Sequence, residues 1–200
     1  MYWHSIPTEA ERVAIAQRLG GHIVELGEPS AEPKDDPALQ SQSEAYVIGN
    51  YDLKIDITHI TIASQQKLID DVVLRYETHE YKLGAVEGLS HCMALAGQAL
   101  IAKWQEEIRL LPDALAHKLM RQYAQMWAQR PLRDMLIKRG DVLYANRALN
   151  DIAEKVVYML VVVQGQYPPL RLKHLPWIIE ALELKPTNML ERITQICSLA

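Results

Sequence analysis

Apolar residues recur at every second position from Leu53 to Ile57 and at every third or fourth position from Ser64 onward. That change of period divides the chain into a strand-bearing part and a helical part. Ahead of the alternating stretch, residues 7–19 predict a first helix. Pro7-Thr8 starts it, Glu9 and Glu11 suit its positive end, and Val13, Ala16 and Leu19 form its apolar stripe. Gly20-Gly21 closes it, and His22 to Leu26 reads as a short strand. Residues 27–44 carry three prolines and five acids with almost no aliphatic side chains, so they predict a surface loop, functional or plain. Ala45–Gly49 and Leu53–Thr58 predict two strands around a turn at 50–52. Leu53, Ile55 and Ile57 share one face, and Lys54, Asp56 and Thr58 share the other. The alternation slips at His59-Ile60, which marks either a bulge or the strand end.

The helical part opens with Leu68, Ile69, Val72, Val73 and Tyr76 on one face. A long second helix over 81–109 is apolar nearly all round between Cys92 and Ile101, which predicts a central position. A third helix runs from Pro112 to about Gln129, with Leu115, Leu119, Tyr123 and Trp127 in register. A further helical stretch over 132–163 breaks near Gly140-Asp141, and Gln164 to Pro169 is a stop. Short helices over 172–183 and 187–197 finish the chain. The expected class is α+β: a small partial mixed sheet with an N-terminal helix over 1–63, then a larger helical bundle over 64–200.

Composition narrows the setting more than the fold. With 49% hydrophobic and 23% charged residues the chain is ordinary globular material, not a disordered one. The net charge of −4 comes without a basic block, so neither a nucleic-acid groove nor an anionic membrane surface is expected. The apolar runs near 92–102 and 156–163 are too short to span a bilayer, and Met1 to Arg12 has no signal-peptide pattern. Cys92 and Cys197 lack any CxxC spacing, and reduced thiols in the cytoplasm are the expectation.

Most chemical motifs are missing. The chain has no GxGxxG, no P-loop, no GxSxG and no HExxH, and its seven histidines are scattered. Asp56 stands out because Asp disfavours strands. Two readings stand side by side for it: a wet strand face, or a carboxylate that ligates Mg²⁺ for phosphoryl or nucleotidyl transfer.

The run from Ser43 to His59 resembles the third-carboxylate strand of the DNA-polymerase-β-like nucleotidyltransferase superfamily. The helical part is similar to the C-terminal domain of its bacterial antibiotic-adenylyltransferase-like members. Tyr81-Lys-Leu-Gly84, Trp104, Arg139-Gly-Asp141, Asn150 and the tract Gln164 to Pro169 with Lys173 carry that second likeness. The resemblance implies transfer of a nucleotidyl group from a nucleoside triphosphate to a hydroxyl on a small molecule or protein. Mg²⁺ is the implied cofactor, Asp56 the implied metal ligand and catalytic carboxylate, and Lys173, Tyr167 and Arg139 the implied nucleotide- or substrate-binding residues.

The family's catalytic strand carries Gly-Ser followed by Asp-x-Asp, and neither occurs in these 200 residues. Met1-Tyr2-Trp3 is similar to the tail of that strand, so the expectation is a shortened, catalytically impaired form. The alternatives are a nucleotidyltransferase-derived binding module that pairs through an exposed sheet edge, and an unrelated helical interaction protein. Asp141 and Tyr158 are further cleft candidates, with a surface ion pair and core packing as their plainer readings.

Overall fold

The computed structural model describes residues 1–18, 20–26, 41–48, 53–126, 134 and 138–198. The protein is α+β and divides into a sheet unit, Met1–Leu68, and a helical unit, Ile69–Ala200. The division falls inside a helix, a few residues beyond the boundary expected from the change of period.

In the sheet unit, β1 (Tyr2–Trp3), β2 (Gly21–Leu26), β3 (Ser41–Ile48) and β4 (Leu53–Thr61) lie in the order β1-β4-β3-β2. β1 runs parallel to β4, and the other two pairings are antiparallel. Helix α1 (Glu9–Arg18) begins with a reciprocal cap: Thr8 donates its backbone N–H to the Glu11 carboxylate at 2.7 Å, and the Glu11 N–H reaches Thr8 Oγ1 at 3.4 Å. The Thr8 N–H and the Thr8 hydroxyl, which also donates to that carboxylate at 2.8 Å, hold the Glu11 carboxyl below its ordinary pKa. Gly20 ends the helix at φ 73°, a conformation open to glycine at little cost.

Two strands of the sheet unit run differently from the pattern in the sequence. β3 starts at Ser41, inside the stretch read as loop, because pairing with β4 holds even its polar first turn: Ser41 lies opposite Ile60 and Ser43 opposite Thr58. β4 continues through the supposed slip to Thr61, and the irregularity in the sheet lies in β2, between Ile23 and Glu25. The predicted loop over 27–40 and the turn at 49–52 lie outside the described residues.

The helical unit takes in the end of α2 (Ile62–Val73), then α3 (Glu80–His91), α4 (Gln98–Glu107), α5 (Asp113–Tyr123), α6 (Val142–Val163), α7 (Leu175–Ala181) and α8 (Met189–Ser198). Its buried residues follow the helical stripes: Leu83, Val86 and Leu89 on α3, Ile101 and Trp104 on α4, Leu115, Leu119 and Tyr123 on α5. Val157 and Val161 of α6 join Ile179, Leu182 and Met189 in one cluster. Asp71, fully buried, accepts from Lys82 at 2.7 Å and from Arg75 at 2.5 Å, tying α2 to α3.

The single long helix predicted over 81–109 is two helices. Gln105 of α4 donates its side-chain amide to the carbonyls of Leu89 at 3.2 Å and Cys92 at 3.0 Å, satisfying the C-terminal end of α3. Gly97, at φ 70°, then starts α4. The apolar run between them is not central, since Met93 and Leu95 are 83% and 91% exposed. Trp127, in register on the predicted third helix, lies outside the described residues. Among the described residues no helix is long and apolar enough to cross a membrane.

Candidate functional site

The helical unit contains a cavity of about 630 Å³, within the roughly 300–1,000 Å³ usual for small-ligand sites. Its walls come from α3, the end of α4, the end of α6 and the tract from Gly165 to Lys173 that leads into α7. That tract is held at two points. Tyr167 is buried and donates its hydroxyl to the Leu110 carbonyl at 3.2 Å, and burial pushes its phenol up to about 12. Leu170 sits against Gly84 of α3, so closely that a β-carbon at Gly84 would lie 2.4 Å from the Leu170 Cβ. The glycine in α3 is therefore what lets the tract approach the helix.

Just beyond those anchors the chain presents Arg171 and Lys173 to the cavity. Neither side chain forms an ion pair among the described residues. Arg109 joins them on the wall from the end of α4, where it also pairs with Glu106 at 3.1 Å. The acidic lining residue is Glu87, one helical turn from His91, with Oε1 3.5 Å from the imidazole Nε2. Burial raises the Glu87 carboxyl, and the His91 charge opposes that shift. Among the described lining residues three basic side chains, Arg109, Arg171 and Lys173, thus face one carboxylate, and a cavity so lined attracts anions.

Of the residues expected at a site, Tyr167 and Lys173 come together in this cavity, Tyr167 as a buried wall and Lys173 as a charge. Arg139 does not line it and is exposed beside Gly140, which adopts φ 61° ahead of α6. Asp141 is the cap of α6, accepting the Tyr144 N–H at 3.2 Å. Tyr158 is half-buried against Tyr123, ring centroids 5.3 Å apart, which is the packing alternative.

Asp56 belongs to the sheet unit. It lies opposite Ala45 on β3, its side chain 81% exposed and 3.5 Å from the Lys54 ammonium. Among the described residues no three His, Cys, Asp or Glu side chains converge to hold a metal ion. A lone carboxylate beside an ammonium does not fit a two-metal transfer centre, which needs several converging carboxylates.

The sheet unit instead buries a polar cluster that the periodicity did not reveal. Glu44 accepts from Arg12 Nε at 3.0 Å, from the Tyr46 hydroxyl and from His59 Nε2 at 2.6 Å. Arg12 also bonds the Pro7 carbonyl at 2.5 Å, and Trp3 Nε1 donates to His59 Nδ1 at 3.1 Å. Burial and the Glu44 carboxylate both raise the Tyr46 phenol above its ordinary range. Among the described residues no buried side-chain atom of this cluster lacks a hydrogen-bond partner, which marks the cluster as structural.

The residues missed at the cavity, Arg171, Arg109, Glu87 and His91, carried a partial signal. Arg171 and Lys173 alternate with leucines just after two prolines, so in an extended tract they fall on one side. Nothing local links them to Arg109, which lies some sixty positions earlier. No protein-family model, curated protein or solved structure matches the chain.

Proposed function

We propose that the cavity of the helical unit binds the phosphates of a nucleotide, and that the chain is a nucleotidyltransferase-like protein which transfers slowly or not at all by itself. One observation carries the reading: Arg171 and Lys173, without ion-pair partners among the described residues, line one cavity with Arg109. Arg offers forked donors to phosphate oxygens and Lys a compact charge. The parent reaction is nucleotidyl transfer from a nucleoside triphosphate to a hydroxyl of a small molecule or protein, in the cytoplasm. Its impairment follows from Asp56, a single carboxylate where such transfer uses several.

Calorimetric titration of the chain with ATP, with and without Mg²⁺, tests this. Millimolar or tighter binding is expected, weakened at least tenfold in Lys173→Ala and Arg171→Ala, by the loss of charge-assisted hydrogen bonds. The Asp56→Ala variant asks separately whether the sheet unit contributes to Mg²⁺-dependent binding. An unmodified chain that takes up no ATP in either condition rules the reading out.

A second reading, a nucleotidyltransferase-derived interaction module, is favoured by the sheet edge. β1 meets β4 only at Ile60 and Thr61, so among the described residues one edge of Leu53–Ile57 has no neighbouring strand. Open edges invite pairing with another chain. Light scattering across a concentration series distinguishes the two, because a monomer at all concentrations is incompatible with self-pairing through that edge.

A further inference from the structure

Among the described residues, one aromatic surface beside the cavity remains open. Trp177 of α7 is 70% exposed, whereas Trp104 is fully buried and Tyr167 is walled in by its bond to Leu110. The indole is not loose. Its ring stacks on His174 with centroids 4.9 Å apart and planes 16° from parallel. His174 sits at φ 59° and ψ 40°, a left-handed conformation unusual for a side-chain-bearing residue. The stack and the onset of α7 hold that turn in place, and departures of this kind concentrate where a ligand is gripped.

Position joins the stack to the cavity. His174 follows Lys173 directly in the chain, and Lys173 is on the cavity wall. On α7, Ile178 and Ala181 also line the cavity, and Ala181 is one helical turn beyond Trp177. The indole therefore stands on the helix that forms one wall, four positions after Lys173, one of two cations without an ion-pair partner among the described residues. An aromatic face next to fixed positive charge is the arrangement by which proteins seize a base and its phosphates together.

We propose that the Trp177–His174 stack seats a flat aromatic ring, a nucleobase, whose phosphates are held by Arg171 and Lys173. The proposal rests on the phosphate-binding reading and goes beyond it by naming the part of the ligand that gives preference for a nucleoside polyphosphate over a bare one. Imidazole covers one face of the indole, and the base stacks on the other. Trp177 is mostly exposed, so replacing it leaves the helical core intact.

The test is a set of fluorescence and calorimetric titrations of the full chain with ATP and with inorganic tripolyphosphate. ATP is expected to quench the solvent-exposed tryptophan emission and to bind on the order of tenfold more tightly than tripolyphosphate. Trp177→Ala should remove the quench and that advantage while leaving tripolyphosphate affinity unchanged, and Trp177→Phe should restore part of the advantage. Equal affinity for ATP and tripolyphosphate, unaltered in Trp177→Ala, overturns the stacking proposal and leaves phosphate binding standing. Failure of both compounds to bind overturns the phosphate reading and the stack with it.

Discussion

His59 is held neutral against Glu44 by the hydrogen bonds on its two ring nitrogens. Trp3 Nε1 can only donate, so the His59 Nδ1 it meets at 3.1 Å must accept. The ring hydrogen therefore resides on Nε2, pointing at Glu44 Oε1 2.6 Å away. Protonation would set two donors against each other at Nδ1.

The pH dependence of the sheet unit follows. Burial lowers the His59 pKa, with the Arg12 charge and the chain's amino terminus adding to that shift and Glu44 opposing it. Glu44 is raised by burial but lowered overall, because hydrogen bonds from Tyr46, Arg12 and His59 outweigh the desolvation. Both groups bind protons more readily when the chain is unfolded, so stability falls on acidification. The His59 share is lost as pH drops below the ordinary 6.5 toward its lower folded value, and the Glu44 share below the ordinary 4.5. A thermal-unfolding series from pH 7.5 to 5 should show this decline, and His59→Gln should flatten it.

Removing Glu44 alone should be far costlier than removing the whole charge pair. Arg12 and Glu44 have side chains 4% and 0% exposed, so Glu44→Ala strands a guanidinium in the interior. The expected loss is about 3–5 kcal/mol by urea unfolding, whereas Arg12→Met combined with Glu44→Leu should recover most of it. A double variant as unstable as the single would mean the carboxylate matters through Tyr46 and His59 instead.

Two glycines of the same helix should respond in opposite ways to alanine. Gly84→Ala drives a methyl into Leu170, including its backbone at 2.8 Å, and should cost about 1–3 kcal/mol. Because Leu170 adjoins Arg171, the same change should weaken tripolyphosphate binding. Gly88→Ala meets nothing within 4 Å and should stabilise α3 by up to about 1 kcal/mol. Urea midpoints of the two variants give the comparison directly.

Asp56 can be tested for what it costs as well as for what it does. It is exposed in the middle of a nine-residue strand, where Thr is the better residue by up to about 1 kcal/mol. Asp56→Thr should therefore raise the unfolding midpoint. A drop instead would show that the carboxylate supports the fold through contacts beyond its pairing with Lys54.

The sequence alone determined the α+β class, the position of nearly every element and most of the helical core, because each of those depends on a local period. Burial of one face selects apolar residues at 2.0 or 3.6 intervals, and that selection is written along Leu53–Ile57 and along Leu115, Leu119 and Tyr123. Turn chemistry did the same for Gly20 and for Gln164 to Pro169. The errors fell where a partner distant in the chain overruled the local pattern. β3 gained Ser41 to Glu44 by pairing with β4, and the helix over 81–109 broke because Gln105 caps α3.

Only the tertiary structure decided which charges meet. In isolation Arg12, Glu44 and His59 read as a helix surface, a loop end and a strand slip, yet they form one buried cluster. Arg109, Arg171 and Lys173 come from two distant segments, and their shared cavity exists because Gly84 admits Leu170 and Leu110 receives the Tyr167 hydroxyl. A hydrophobic face is specified by many residues that repeat one preference, so it is legible in one dimension. A polar site is specified by a few side chains that converge across the fold, and that convergence has no period to read.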